Sequence, residues 1–521
     1  MKKTILYLLI FLAAGMTACF EDDSTLGSDF IPDITIAELR DTAIVSYAGN
    51  VLEITPQVTS EYDESELSYA WYIYNESNGT TTDGSELDGF RTEKIGDAKT
   101  LSYEVNIPSG LYGIVFEVTE ARNGYACRAF MSLSVSTAFS QGFYILKETA
   151  DGRSDLDLAF NGNFSEDILT NRIGAPLDGA PVNLSILYGQ GYIDGETQEM
   201  AYTKGLNVFT EEDYRAFRTE DFYQIQDLST VFYSGEPQEG EVLYGAYQGM
   251  MYNFYFSNKG YYGVNACGGM FGYENSGKIG FPIGAGGSKY AQNLMGGFGG
   301  TAYWNEIDRT VCWADYNASV STVVDYDLPA SMDAATVDCI GSGINYVGFT
   351  ETEWFLLRDA DNNRCVVLLP GSDMGASVVE IDPAVTPRFA EADIVAGNAL
   401  SVSIIYFVSG NQLWAYSWGS NSEYNIPLPG VEGTINYVTN QFLNLDYFTG
   451  GEDENFDNLI VGTETAEGYN LYIFDDVVGG APQSAVEPYQ GTGTVKHVRY
   501  VPALQPDLSS AFGGVYIPWT D

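Results

Sequence analysis

From Thr137 to the end of the chain one local pattern keeps returning: two β-rich runs joined by a short turn of Asp, Asn, Ser, Lys or Gly. Phe143 to Glu148 and Leu156 to Phe160 flank Asp151-Gly152, and Met251 to Phe256 and Tyr261 to Val264 flank Ser257-Asn258-Lys259-Gly260. Trp354 to Leu357 and Cys365 to Leu369 flank Asp359 to Asn363. Ile404 to Val408 and Gln412 to Trp418 flank Ser409-Gly410-Asn411, and Leu459 to Val461 and Tyr469 to Phe474 flank Glu464 to Gly468. Such turn residues tolerate the backbone angles of a tight reversal, so each pair reads as a β-hairpin. In the clearer second half the hairpins recur roughly every 45 to 55 residues, the length of a four-stranded propeller blade. The stretch 137–521 is therefore expected to be a β-propeller-like domain of about seven blades. One helix is predicted inside it, over Phe209 to Phe217, with Thr210 as N-cap and Glu211 to Asp213 in the first turn.

Residues 32–136 read differently. Ala43 to Tyr47 and Val51 to Thr55 flank Ala48-Gly49-Asn50, a hairpin-like turn. In Leu67 to Tyr74 the alternate positions 67, 69, 71 and 73 are apolar or aromatic, the mark of a half-buried strand. Ser109-Gly110 leads into a strand over Leu111 to Val118, and Cys127 to Val135 supplies another. About 100 residues of short alternating strands suggest an immunoglobulin-like sandwich, with Trp71 as its core tryptophan. The whole chain is expected to be all-β. The 38 Tyr and 57 Gly suit strands and turns.

The chain begins with Lys2 and Lys3, an apolar run from Ile5 to Ala14, and then Met16-Thr17-Ala18-Cys19. The run is shorter than the roughly 20 apolar residues a bilayer crossing needs, so 1–18 reads as a secretory signal peptide. Cys19 after Thr17-Ala18 resembles the lipobox of bacterial lipoproteins, although Met16 stands where those usually carry Leu. The resemblance implies that Cys19 becomes the acylated first residue, a palmitate-type anchor on a tether spanning 19–31. Phe20-Glu21-Asp22-Asp23 looks like the acidic surface-export signal of Bacteroidetes lipoproteins.

The Tyr-x-Trp strand at Tyr69 and Trp71, the Gly110 to Val118 strand and the closing strand to Val135 together resemble the polycystic-kidney-disease (PKD) type of immunoglobulin-like domain. With the lipobox, the region is similar to PKD-like family lipoproteins of Bacteroidetes, and the likeness continues into Gly142 to Glu148. The resemblance implies a surface-exposed lipoprotein of the outer membrane. It also implies an accessory, non-enzymatic binding role beside a TonB-dependent transporter and its lid lipoprotein, as in starch-utilisation-like uptake, with an oligopeptide or a glycan as ligand. The rivals are a propeller enzyme, such as a glycoside hydrolase or lyase working through paired carboxylates, and a structural or adhesive surface protein.

Charge and residue inventory narrow the chemistry. A formal charge of −48 repels phosphate backbones, so nucleic acid is not an expected partner. Beyond Cys19 the cysteines are Cys127, Cys267, Cys312, Cys339 and Cys365, with no CxxC pair; most of them read as small buried apolar residues. The one histidine, His497, lies in an alternating strand and excludes a multi-histidine metal site. The glycine-rich stretch 260–300 holds neither a GxxxxGK[ST] loop nor a GxGxxG between strand and helix. No metal or other cofactor is expected. The acidic loops Asp151 to Asp157 and Glu452 to Asp457 lack the full calcium-loop pattern and read as turn-forming Asp. With 71 acidic residues no catalytic pair is nominated, and no catalytic residue is named. Trp414, Tyr416 and Trp418 alternate on one strand and so share a face. Exposed, they form a stacking platform and the candidate ligand-binding residues; buried, they are packing between blades.

Overall fold

The computed structural model describes residues 33–502, except 38, 40–41, 46–49, 76–92, 108, 123, 249–251, 266–276, 294–299, 316–320, 348–349, 371–374, 399–401 and 444–455. Within these residues, strands dominate from Ile34 to Val501.

Among the described residues, the larger part is a ring of seven four-stranded antiparallel sheets. Blades 2 to 7 are continuous stretches, spanning 181–227, 243–285, 291–323, 338–381, 395–426 and 434–491. Blade 1 is built from both ends of the ring. Its three outer strands, Gly142–Glu148, Ser154–Phe160 and Asn163–Ser165, come first in the chain, and its inner strand, Thr494–Val501, comes last. Gly142 pairs with Val501 and Phe143 with Tyr500, and the register slips once, between Leu146 and Lys147. The inner strands of successive blades lie side by side, and the circle returns on itself. The strand Thr434–Leu443 of blade 7 abuts Thr494–Val501, which abuts Pro181–Ile193 of blade 2. Closing the ring this way pairs edges that otherwise stay open to other chains. The five hairpins read from the sequence within the ring form in register, among the described residues.

Strand alternation explains how the blades hold together. In blade 5, Trp354, Phe355, Leu356 and Leu357 are all fully buried. Trp354 and Leu356 pack against Ile405, Phe407 and Tyr416 of blade 6, while Phe355 and Leu357 pack against Ala302, Trp304 and Val311 of blade 4. A blade between two neighbours needs apolar residues on both faces, which turns an alternating strand into an unbroken apolar run. Each such side chain contributes about 1.5–3 kcal/mol.

Two local expectations are overturned. Phe209 to Phe217 is not a helix but the turn of a hairpin between Met200–Thr210 and Tyr214–Arg218. Thr210 Oγ1 accepts hydrogen bonds from the backbone N–H of Glu212 (3.2 Å) and Asp213 (2.7 Å). That arrangement caps a turn as readily as a helix. Phe209 and Tyr214 lie opposite each other with ring centroids 5.1 Å apart, a cross-strand pair that decides the matter. In the N-terminal region, the strands around 46–49 do not form a hairpin. Thr42–Val45 pairs in parallel with Ala126–Ser136, whereas Val51–Ile54 pairs with Leu101–Glu104. The chain crosses from one sheet to the other, and Leu52 thereby enters the same core as Trp71.

That N-terminal region is a sandwich of a five-stranded and a two-stranded sheet, with a further pair, Ile34–Ile36 and Val58–Ser60. Trp71 is its buried centre, 4.4 Å from the Phe116 ring, and its indole N–H donates to Ala98 O at 2.9 Å. The sandwich is fastened to blade 2. The Ser109 N–H donates to Glu220 Oε1 (3.0 Å) and its hydroxyl to Glu220 Oε2, while the Thr137 hydroxyl donates to Glu220 O at 2.7 Å. Burial lifts the Glu220 carboxyl above its ordinary value.

The seam where the ring closes carries a buried ion pair. Lys147 Nζ lies 2.7 Å from Asp157 Oδ1 and 2.8 Å from Asp167 Oδ1, with the Lys147 and Asp157 side chains 1% and 0% exposed. Tyr469 of blade 7 donates its hydroxyl to Asp157 Oδ2 at 2.6 Å. Burial pushes Asp157 up to about 6, although Lys147 and Tyr469 pull the other way. Burial also opposes the Lys147 ammonium, but the two carboxylates outweigh it and hold its pKa above the ordinary value. Asp155 and Asp157, read from the sequence as turn residues, are therefore buried strand residues. Asp155 accepts from the N–H of Leu169 (2.9 Å) and the hydroxyl of Thr170 (2.5 Å), which anchors the short helix Ile168–Ile173.

Candidate functional site

A cleft of about 360 Å³ opens between blades 1 and 2. Three pieces of chain build it. The first is the tight turn between Glu148 and Ser154. Gly152 takes a φ of +79° there, open to glycine at no steric cost, and the turn presents Arg153. The second is the segment after the helix Ile168–Ile173. Gly174 ends that helix with a φ of +95°, and backbone hydrogen bonds between Leu177 and Ser154 (2.9 and 3.0 Å) pin the segment to blade 1. The third is the blade 2 hairpin carrying Asp213 and Arg215, with Gln224 on the next strand.

The polar lining is organised around two guanidiniums. Arg215 Nε donates to Asp213 Oδ2 at 3.0 Å and Nη1 to Gln224 Oε1 at 2.9 Å. Arg153 Nε donates to Asp151 Oδ2 at 2.9 Å, with Nη2 2.8 Å from the same oxygen. Thr149 and then Arg153 hold the Asp151 carboxyl below its ordinary value. Arg215 Nη2 and Arg153 Nη1 donate to no described residue, and the exposed Asp178 carboxylate accepts from none. Ile173, Pro176 and Leu177 supply an aliphatic wall. The cleft thus offers two cationic donors, one anionic acceptor and an apolar surface, the parts of a small polar-ligand site. Sequence reading missed it, because its residues are scattered over 153–224 and no spacing rule joins them.

The residues singled out from sequence lie elsewhere. Trp414, Tyr416 and Trp418 do share a face, and that face packs against blade 5. Tyr416 is fully buried and stacks on Phe389 at 4.2 Å with the rings 9° apart. The half-buried Trp414 is capped by the Arg388 guanidinium, 4.1 Å from its ring centroid, which Glu423 holds at 2.9 Å. Trp418 is half-buried at the same seam. Cys19 lies outside the described residues, as do Cys267 and Glu452 to Glu454. Cys312, Cys339 and Cys365 are buried thiols. His497 is partly buried in the inner strand of blade 1; burial, then Arg499, draws its pKa down to about 4. Two carboxylates do approach each other, Glu351 and Glu353, but both are buried (6% and 0% exposed) and neither lines the cleft. Burial, then Glu351, drives Glu353 well above the ordinary carboxyl range. No described helix is long and apolar enough to cross a membrane.

Residues 19–181 match the sequence model of the PKD-like family, so the likeness read from Tyr69, Trp71 and the Gly110 strand is borne out. The match runs past the sandwich into blade 1, as the continuation into Gly142 to Glu148 implied. Among solved structures, a quinonprotein alcohol dehydrogenase-like protein from Bacteroides thetaiotaomicron is similar over 88% of this chain and 96% of its own, at 15% identity and a TM-score of 0.41. A DUF4784 family protein from Bacteroides caccae is similar over 75% of this chain and 95% of its own, at 9% identity and a TM-score of 0.29. The WD40 domain of SCAP from fission yeast is similar over 61% and 75%, at 10% identity and a TM-score of 0.31. No curated protein sequence matches the chain.

Proposed function

We propose that this is a lipid-anchored surface protein of the outer membrane that binds a nutrient without transforming it, beside a TonB-dependent transporter and its lid lipoprotein. The observation that carries this reading is the order of parts along the chain. Cys19 stands at the signal-peptide boundary, a PKD-like sandwich follows, and a closed ring with an open polar cleft comes last. An acyl chain contributes about 0.8 kcal/mol per buried methylene, so two chains on Cys19 hold the protein at the membrane. The sandwich, fixed to blade 2 through Glu220, then acts as a spacer of set direction. The ring presents loops and the cleft to whatever reaches the cell surface.

Affinity purification of the tagged full chain from detergent-solubilised native membranes tests the reading. Co-purification of a TonB-dependent transporter in stoichiometric amount supports it. Recovery of the chain without any transporter, or turnover of a glycan or peptide panel by the purified chain, contradicts it.

A further inference from the structure

We infer that the cleft between blades 1 and 2 receives the carboxyl-terminal end of an oligopeptide. This rests on the binding function proposed above and narrows its ligand to one chemical class. A carboxylate fits the two uncommitted donor groups, Arg215 Nη2 and Arg153 Nη1, because guanidinium donors pair with planar two-oxygen anions more strongly than with neutral groups. Asp178, whose carboxylate oxygens accept nothing from the described residues, also lines the cleft and supplies an acceptor for the N–H of the last amide. The aliphatic wall of Ile173, Pro176 and Leu177 takes a small apolar side chain. None of the nine lining residues is aromatic, so the cleft lacks a flat ring for the face of a neutral sugar to stack on.

The chain's charge of −48 stands against an anionic ligand, but its reach is short. Exposed charges are screened beyond about 8–10 Å at physiological salt, so the groups lining the cleft decide. Asp213 and Asp151 are each committed to their own arginine, at 3.0 and 2.8–2.9 Å, and Asp227 lies 3.9 Å from Arg215 Nη1, while Arg215 Nη2 and Arg153 Nη1 donate to no described residue. The Arg215 and Arg153 side chains are only 31% and 37% exposed, so a carboxylate reaching them is partly withdrawn from water and gains more from each contact. Pairing with a ligand oxygen costs the site no new ordering, since both arginines are already held.

The test is calorimetric titration of the full chain in detergent with trialanine, with C-terminally amidated trialanine, and with digalacturonate. Trialanine is expected to bind ~10- to 100-fold more tightly than its amide, the value of one charge-assisted contact. Arg215→Gln and, separately, Arg153→Gln are expected to weaken trialanine by ~10-fold or more at an unchanged unfolding temperature. Equal affinity for acid and amide, no trialanine binding, or trialanine binding that survives both substitutions overturns the assignment. Digalacturonate binding alone, lost in the arginine variants, overturns it in favour of an acidic sugar. The two readings fail separately. A double arginine variant that still co-purifies with a transporter leaves the uptake role standing, while a chain that binds trialanine but no transporter removes that role and keeps the cleft.

Discussion

Asp157→Ala is the sharpest perturbation of the ring. The aspartate joins Lys147 of blade 1 to Tyr469 of blade 7, where the last strand of the ring zips against the first. Removing it leaves the Lys147 ammonium 1% exposed with one counter-charge, Asp167, at 2.8 Å. It also leaves the Tyr469 hydroxyl and the Asp167 N–H without their acceptor. Breaking a buried pair from one side costs ~3–5 kcal/mol. Asp167 is 45% exposed and stays in place, so the lower end of that range, about 3 kcal/mol, is expected. The loss falls on the seam. Hydrogen exchange read by mass spectrometry on peptides covering Thr494–Val501 is therefore expected to quicken by ~100-fold, the factor that energy corresponds to. Exchange in the sandwich strands Leu67–Asn75 and Gly110–Glu120 serves as the internal control and stays unchanged. Replacing both partners, Lys147→Met with Asp157→Leu, is expected to restore part of the protection, because no buried ammonium remains and the 45% exposed Asp167 carboxylate turns to water, while the Tyr469 hydroxyl still lacks its acceptor. Less than ~5-fold change in the single variant, or equal change in seam and sandwich, refutes the view that this pair holds the ring shut.

Three further outcomes follow from particular contacts. A Cβ on Gly343 meets Cζ2 of the fully buried Trp354 at 2.5 Å, so Gly343→Ala should cost about 1–3 kcal/mol in chemical denaturation and displace the indole; a neutral substitution contradicts the packing described for blades 5 and 6. His497 has its pKa lowered from 6.5 to about 4, so the unfolded chain binds the proton more readily. Its contribution to stability is complete above 6.5 and is lost as pH falls toward 4, by at most about 3 kcal/mol because the ring is only partly buried. Asp157, raised to about 6, works in the opposite sense over nearly the same window, so the comparison of wild type with His497→Asn isolates the histidine; a stability difference that does not change from pH 7 to 4 contradicts it. Tyr416→Ala should destabilise by about 3–5 kcal/mol while leaving trialanine affinity unchanged, since that ring stacks on Phe389 inside the seam; lost affinity without lost stability would restore it as a ligand platform.

How much of this was legible in the sequence depends on the distance over which each decision is made. The hairpins were legible because the turn chemistry of Asp151-Gly152 or Ser409-Gly410-Asn411 and the flanking β-rich runs act locally. Trp71 was legible because its in-phase neighbours Leu67, Tyr69 and Ile73 mark one buried face. The false helix at Phe209 to Phe217 shows the limit of the same method. Thr210 followed by three acidic residues satisfies a helix start, and only the opposing Phe209–Tyr214 pair tells that it closes a turn. The false hairpin at Ala48-Gly49-Asn50 failed for a related reason, since a turn signal does not say whether the second strand returns to the same sheet. Long-range features left no local trace. Lys147 and Asp157 look like isolated charges in apolar strands, and Arg153 and Arg215 line one cleft only because blade 2 packs beside blade 1.

The central claim is that one acylated sulfur holds this ring at the outside of the cell. Protease shaving of intact cells carrying the wild type or Cys19→Ala, followed by fractionation of membrane from soluble protein, measures it directly. The account predicts wild-type chain in the membrane fraction and cleaved by added protease, with Cys19→Ala recovered as soluble protein. Wild-type chain that is soluble, or that resists the protease on intact cells, or a Cys19→Ala chain that stays with the membrane, would contradict it.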